Sequence, residues 1–127
     1  MRKALAGIFL ALAFLSPSHA QSPLGYNNSC MAALVQTCQQ KTTGGQLWFL
    51  EATTTAPSWV FVVDTTTAPV NGSVTAILAP NVGTGTKTYI FDQSPILFQN
   101  GLYLACSSTA PPTLTLATTC VFTTATR

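Results

Sequence analysis

Three carboxylates carry all the acid side-chain chemistry of this chain: Glu51, Asp64 and Asp92. Two of them could act as the carboxyl pair of a glycosidase if their carboxyls stood about 5–9 Å apart. Each, however, closes an apolar run beside turn-forming residues, Asp64 before Thr65 and Asp92 before Ser94-Pro95. Aspartate there opens turns by bonding the backbone ahead of it. Turn formation is the expected role, and a carboxylate-dependent glycoside hydrolase is the remaining enzymatic alternative. The only histidine, His19, falls within an expected leader, so neither a Ser-His-Asp arrangement nor a His-ligated metal site is expected in the exported chain. Gly83-Thr84-Gly85-Thr86-Lys87 lacks the first glycine of a phosphate loop and reads as a flexible hairpin loop. No catalytic residue, cofactor or metal is expected.

Two other residue types invite a site. Trp48 and Trp59 could stack on the apolar face of a sugar, although both stand in apolar runs where rings ordinarily fill a core. Cys30, Cys38, Cys106 and Cys120 are even in number and lack C-x-x-C spacing, which favours two disulfides over zinc. Three pairings are open, with a preference for the local one, Cys30 with Cys38 and Cys106 with Cys120. The Asn27-Asn28-Ser29 and Asn71-Gly72-Ser73 triplets match the glycosylation sequon, which matters only in a eukaryotic secretory route.

The disulfides fit an exported chain, and the N-terminus points the same way. Arg2 and Lys3 precede an apolar run, Ala4 to Leu15, and Ser18-His19-Ala20 offers small residues for cleavage. Residues 1–20 are therefore expected to be a signal helix, removed before Gln21. Without it the basic residues Lys41, Lys87 and Arg127 face Glu51, Asp64 and Asp92, and the chain is nearly neutral. That balance excludes the positive stripe a nucleic-acid partner requires, and no stable membrane anchor is expected. A secreted or periplasmic location follows.

The elements that would position these residues are short. Apolar runs at Gln46–Leu50, Trp59–Val63, Val74–Ala79, Thr88–Phe91, Leu102–Cys106 and Thr113–Phe122 alternate with Gly, Pro and Asn punctuation. Two copies of TTTAP, at Thr53–Pro57 and Thr65–Pro69, read as turns bracketing the single strand Trp59–Val63. That run is continuously apolar, as a central strand covered on both faces, or one at an interface, would be. Asn71-Gly72 is a hairpin cue. Residues 21–44 form an N-terminal cysteine-containing segment in which Cys30–Gln40 fits either a short helix or a strand. Residues 45–127 are expected to be an all-β domain: an antiparallel sandwich, jelly-roll or immunoglobulin-like, of six to seven strands.

The stretches WVFVVDTTTAPVNGSVTA (59–76), PILFQNGLYLACSST (95–109) and TLTLATTCVF (113–122) resemble small β-rich proteins encoded among the virion genes of tailed phages and prophages. The shared pattern is an apolar strand ending in Asp64, a T-x-A-P-x-x-G-x-V-T turn to Thr75, and a Phe-x-x-Gly phrase from Phe98 opening a strand that ends in Ser107-Ser108. The resemblance implies a compact β-sandwich with a structural or attachment role. The expected function is thus an exported, non-catalytic, phage-related structural or interaction protein. A secreted module binding glycan or another surface ligand through Trp48 or Trp59 is the alternative, and a protein or glycan partner or an oligomer fits either.

Overall fold

The computed structural model of the protein describes residues 25–27, 30 and 33–127; the expected leader and the Asn28-Ser29 half of the first sequon lie outside them. Nine strands follow in order: β1 (Gly25–Asn27), β2 (Thr37–Lys41), β3 (Gly45–Asp64), β4 (Gly72–Ser73), β5 (Asn81–Ile90), β6 (Ile96–Phe98), β7 (Leu102–Ser107), β8 (Thr113–Leu114) and β9 (Cys120–Thr126). Seven belong to one sheet, β4 and β8 form a separate pair, and all pairings are antiparallel.

Strand β3 organises everything else. It is 20 residues long, far beyond the usual strand of about 5–6, and it serves two groups of neighbours. Its first arm pairs with β9 (Leu47–Thr54 against Cys120–Thr126) and its second with β7 (Trp59–Asp64 against Leu102–Ser107). On the opposite edge lie β6 and then β5, whose register slips between Thr54 and Ser58 and again between Ser58 and Trp59. Slips of this kind bend a strand and sharpen its twist. Outside β9 and β7 runs the N-terminal segment, with β1 on β9, Val35 bridged to Cys120 and β2 on β7.

The two ends of β3 meet the same short piece of chain. Gly45–Leu47 pair with β6, while Asp64, at the other end, binds the turn that leads from β6 into β7. The strand therefore folds back on itself, and its arms enclose one core. Leu47, Leu50, Ala52, Val60, Val62, Phe98, Leu102, Leu104, Cys106, Cys120 and Phe122 are buried there together. The expected two-sided burial of Trp59–Val63 is met: Val60 and Val62 face this core, whereas Phe61 and Val63 join Ala105 and Leu114 in a second, smaller one. The second core is closed by Trp59, Val74, Ala76, Ala79 and Leu116 from the segments around β4 and β8.

Several expectations are corrected. The first TTTAP is not a turn; the chain continues through it as strand, with Thr54 and Ser58 buried. Threonine suits a strand, and Pro57 lies where the ladder with β5 is already interrupted, so its missing donor costs little. Gly83–Lys87 is strand, within β5, rather than a hairpin loop. Val74–Ala79 forms no strand and touches the sheet through a bridge from Leu78 to Val62. Asn71-Gly72 does not join sequence neighbours, because Gly72 pairs with Leu114. Thr113–Phe122 divides, Leu114 entering the second core and Cys120 and Phe122 the first. Of the two readings of Cys30–Gln40, the strand holds for the described part, with β2 at Thr37–Lys41.

Candidate functional site

Asp64 ends β3 with its carboxylate turned toward the β6–β7 connection. Its Oδ2 accepts the Gln99 N–H at 2.8 Å, and its Oδ1 accepts those of Asn100 at 2.7 Å and Gly101 at 3.2 Å. The Gln99 amide does most to hold this carboxyl below its ordinary pKa; desolvation opposes it, and Asn100 and Gly101 add to the lowering. A carboxylate accepting several backbone N–H groups prefers its charged form. Asp64 thus works as a clasp, and the turn it holds lies 35 to 37 residues downstream.

The consequence is measurable. The folded pKa lies below the unfolded one, so the clasp's stabilisation is complete above the unfolded pKa and is lost as pH falls through the folded one. Asp64→Ala is expected to cost about 1–2 kcal/mol at neutral pH, the lower part of the range for bonds to a charged acceptor because solvent screens this site. Urea midpoints across the acid range check both points: Asp64→Asn should remove part of the wild type's loss of stability in acid. An unchanged acid limb would show that the clasp contributes nothing.

The other carboxylates do not join Asp64. Glu51 stands in the middle of the first arm of β3, on the other side of the bend, and accepts the Thr88 hydroxyl at 3.2 Å. It is therefore not at a strand end, as its sequence position suggested. Asp92 follows β5, in the bend before Ser94-Pro95. Among the described residues no cluster of three His, Cys, Asp or Glu side chains could hold a metal ion, and no helix is long and apolar enough to cross a membrane.

The two tryptophans are likewise separate. Trp48 donates its indole N–H to Gln46 Oε1 at 3.1 Å, and the Arg127 guanidinium lies over its ring, 5.1 Å from the centroid. Trp59, on the second arm, packs against the second core. Each is half-buried against its own neighbours. The cysteines do come together as the local pairs, Cys30 with Cys38 and Cys106 with Cys120. The Cys106–Cys120 pair joins the end of β7 to the start of β9, beside the bend of β3.

The concave surface lies elsewhere, over the second core. The segment from Thr65 to Pro80 covers the second core, returns along the edge of β3 at Val60 and Val62, and leaves two adjoining grooves of about 360 and 500 Å³ on either side of Ser73–Thr75. Pro69 and Val70 border the first; Ile77, Pro111 and Pro112 border the second. Val70 is 71 % exposed and Ile77 42 %. No ionisable side chain lines either groove. Local bonds shape the segment: Thr65 Oγ1 accepts the Thr67 N–H at 3.0 Å, and Asn71 Oδ1 accepts the Leu116 N–H at 2.7 Å. Sequence reasoning missed these grooves because it took Val74–Ala79 for a strand, which would have turned alternate side chains inward.

Fold and surface together define a small all-β antiparallel domain held by two disulfides and offering a neutral, grooved face. Family models, curated proteins and solved structures compared with the chain give no match to it.

Proposed function

We propose that the protein is an exported, non-catalytic structural or interaction module, with a sandwich-like body, that binds a protein partner through the face formed by Thr65–Pro80 and Pro111-Pro112. The observation that carries this reading is the pair of adjoining grooves whose rim exposes Val70 and Ile77 and whose lining carries no acid or base. A surface without titratable groups is poorly equipped for proton transfer but well suited to burying apolar area against a partner. The disulfides agree with an oxidising compartment. The resemblance to virion-gene products supports a structural or attachment role, and its T-x-A-P-x-x-G-x-V-T turn is the segment that forms the first groove.

Fractionation tests the reading. The mature protein is expected in a cell-surface or particle-bound fraction of its source, and a Val70→Asp/Ile77→Asp double variant in the soluble exported fraction. Both positions are exposed, so the double variant should fold with stability changed by no more than about 0.5 kcal/mol per site. A folded double variant that stays with the surface or particle fraction would rule this face out.

A further inference from the structure

The chain contains two Asn-Gly dipeptides among its described residues, Asn71-Gly72 and Asn100-Gly101, and the structure treats them oppositely. Asn-Gly is the sequence in which a backbone nitrogen most easily reaches the preceding side-chain amide, because glycine adds no Cβ to obstruct the ring that forms. We propose that Asn71 is a site of spontaneous succinimide formation, converting to aspartate or isoaspartate in the folded protein, and that Asn100 is protected.

The reaction needs only water. The Gly72 backbone nitrogen gives up its proton to solvent hydroxide and attacks Asn71 Cγ. The bond from Cγ to Nδ2 then breaks, and ammonia leaves with a proton from water. The resulting five-membered imide takes up one water at either carbonyl. Opening one way leaves an ordinary aspartyl link, and the other places an extra methylene in the main chain. Overall one water enters and one ammonia leaves, with no oxidant or reductant.

At Asn71 three features favour this course. Both residues are exposed. Gly72 has φ +130° and no atom within 4 Å of where a Cβ would stand, so the peptide is open on that side. The Leu116 N–H donates to Asn71 Oδ1 at 2.7 Å, which polarises the amide carbonyl and supports the negative charge that develops there during attack. Gly72 pairs with Leu114 in the short β4–β8 ladder, which one further bond, Val74 N–H to Pro112 O, extends and which lies outside the main sheet. A ladder so short opens locally at little cost.

Asn100 has the same neighbour and the opposite surroundings. The nitrogen that would have to attack, that of Gly101, already donates to Asp64 Oδ1. Gly101 is buried, and a Cβ placed on it would fall 2.8 Å from the Thr65 carbonyl oxygen and 2.9 Å from that of Lys41. Backbone walls on that side leave no room for the peptide to rotate into the ring. Opening this turn requires releasing the clasp that holds the two ends of β3 together.

Peptide mapping by mass spectrometry after incubation of the oxidised, full-length exported protein at mildly alkaline pH tests the inference. Conversion adds roughly one dalton to the Asn71 peptide, and it should run about tenfold or more faster there than at Asn100, since each further factor of ten reflects a modest difference in opening free energy. In reduced, denaturant-unfolded protein the two sites should convert at similar rates. Asp64→Ala should accelerate Asn100 and leave Asn71 unchanged. Equal rates in the native protein, faster reaction at Asn100, or an Asn71 that converts only when unfolded would each overturn the proposal.

Discussion

Removing the Cys106–Cys120 link by the double substitution Cys106→Ala/Cys120→Ala is expected to lower unfolding free energy by about 3 kcal/mol, and the melting temperature by on the order of 10–20 °C for a domain of this size. The chain-entropy part rests on a sequence separation of 14 between the two cysteines. The Cys30–Cys38 pair, at a separation of 8, gives a slightly smaller entropic term, about 2.5 kcal/mol. Position in the sheet widens the difference. Cys106 and Cys120 are fully buried and sit where β7 ends and β9 begins, both along one edge of β3, at the bend around Thr55–Ser58. No hydrogen-bond ladder runs directly between β7 and β9, so the disulfide is the covalent tie across that discontinuity. Cys30 and Cys38 are also buried against the first core, but they tie the outer N-terminal segment, where local opening costs less. Thermal melts of the two double-alanine variants decide the ranking. A larger loss from Cys30→Ala/Cys38→Ala would show that the N-terminal segment, rather than the bend, limits stability.

The same bend marks the boundary of what the sequence makes legible. Composition and punctuation indicate antiparallel β structure, and the unbroken run Trp59–Val63 indicates a strand covered on both faces, because burial on both sides removes any need for alternation. The local cysteine pairs are one of three pairings that spacing leaves open, preferred from the sequence but selected by the structure. The passage of β3 through Thr53–Pro57 is not. Proline and a threonine cluster signal a turn in isolation, and only the neighbouring strands show that the ladder is broken at Pro57 for another reason. Asp64 shows the same limit. Its type and place predict a turn-holding aspartate, yet the turn it holds contains Gln99, Asn100 and Gly101, a pairing with no local signature. Gly83–Lys87 fails differently: glycines suggest a loop, but in β5 they sit at positive φ where the strand follows the bend, and the threonines between them keep strand propensity. The grooves are the least legible feature. Val74–Ala79 has the composition of a strand, but only its end, Ile77 to Pro80, hydrogen-bonds along the edge of β3 at Val60 and Val62, while Val74 and Ala76 pack on the second core.

That second core is where fold and proposed function meet, and Phe61→Ala is the substitution that separates them. Phe61 is fully buried, and its ring supports Val74, Ala76 and Ala79 beneath the grooves as well as Leu114 and Leu116 from the opposite segment. Truncation of a buried phenylalanine costs about 3–5 kcal/mol, and Phe122→Ala, in the first core, should cost a similar amount. The distribution of the loss should differ. The segment from Thr65 to Pro80 is tied to β3 at its end, by Ile77 N–H to Val62 O, Val62 N–H to Leu78 O and Val60 N–H to Pro80 O, so it is the stretch before Ile77 whose position depends largely on apolar packing. Without the Phe61 ring that stretch loses its support while the first core, on the other face of β3, retains its contacts. Hydrogen exchange should therefore accelerate first in that stretch and in residues 108–116 of Phe61→Ala, and throughout the sheet in Phe122→Ala. Binding should follow the same division: Phe61→Ala is expected to weaken attachment at temperatures where the sheet remains folded, because a groove whose floor has collapsed no longer matches its partner. Uniform exchange in both variants would mean that the two cores act as one cooperative unit, with the grooved face as rigid as the sheet beneath it.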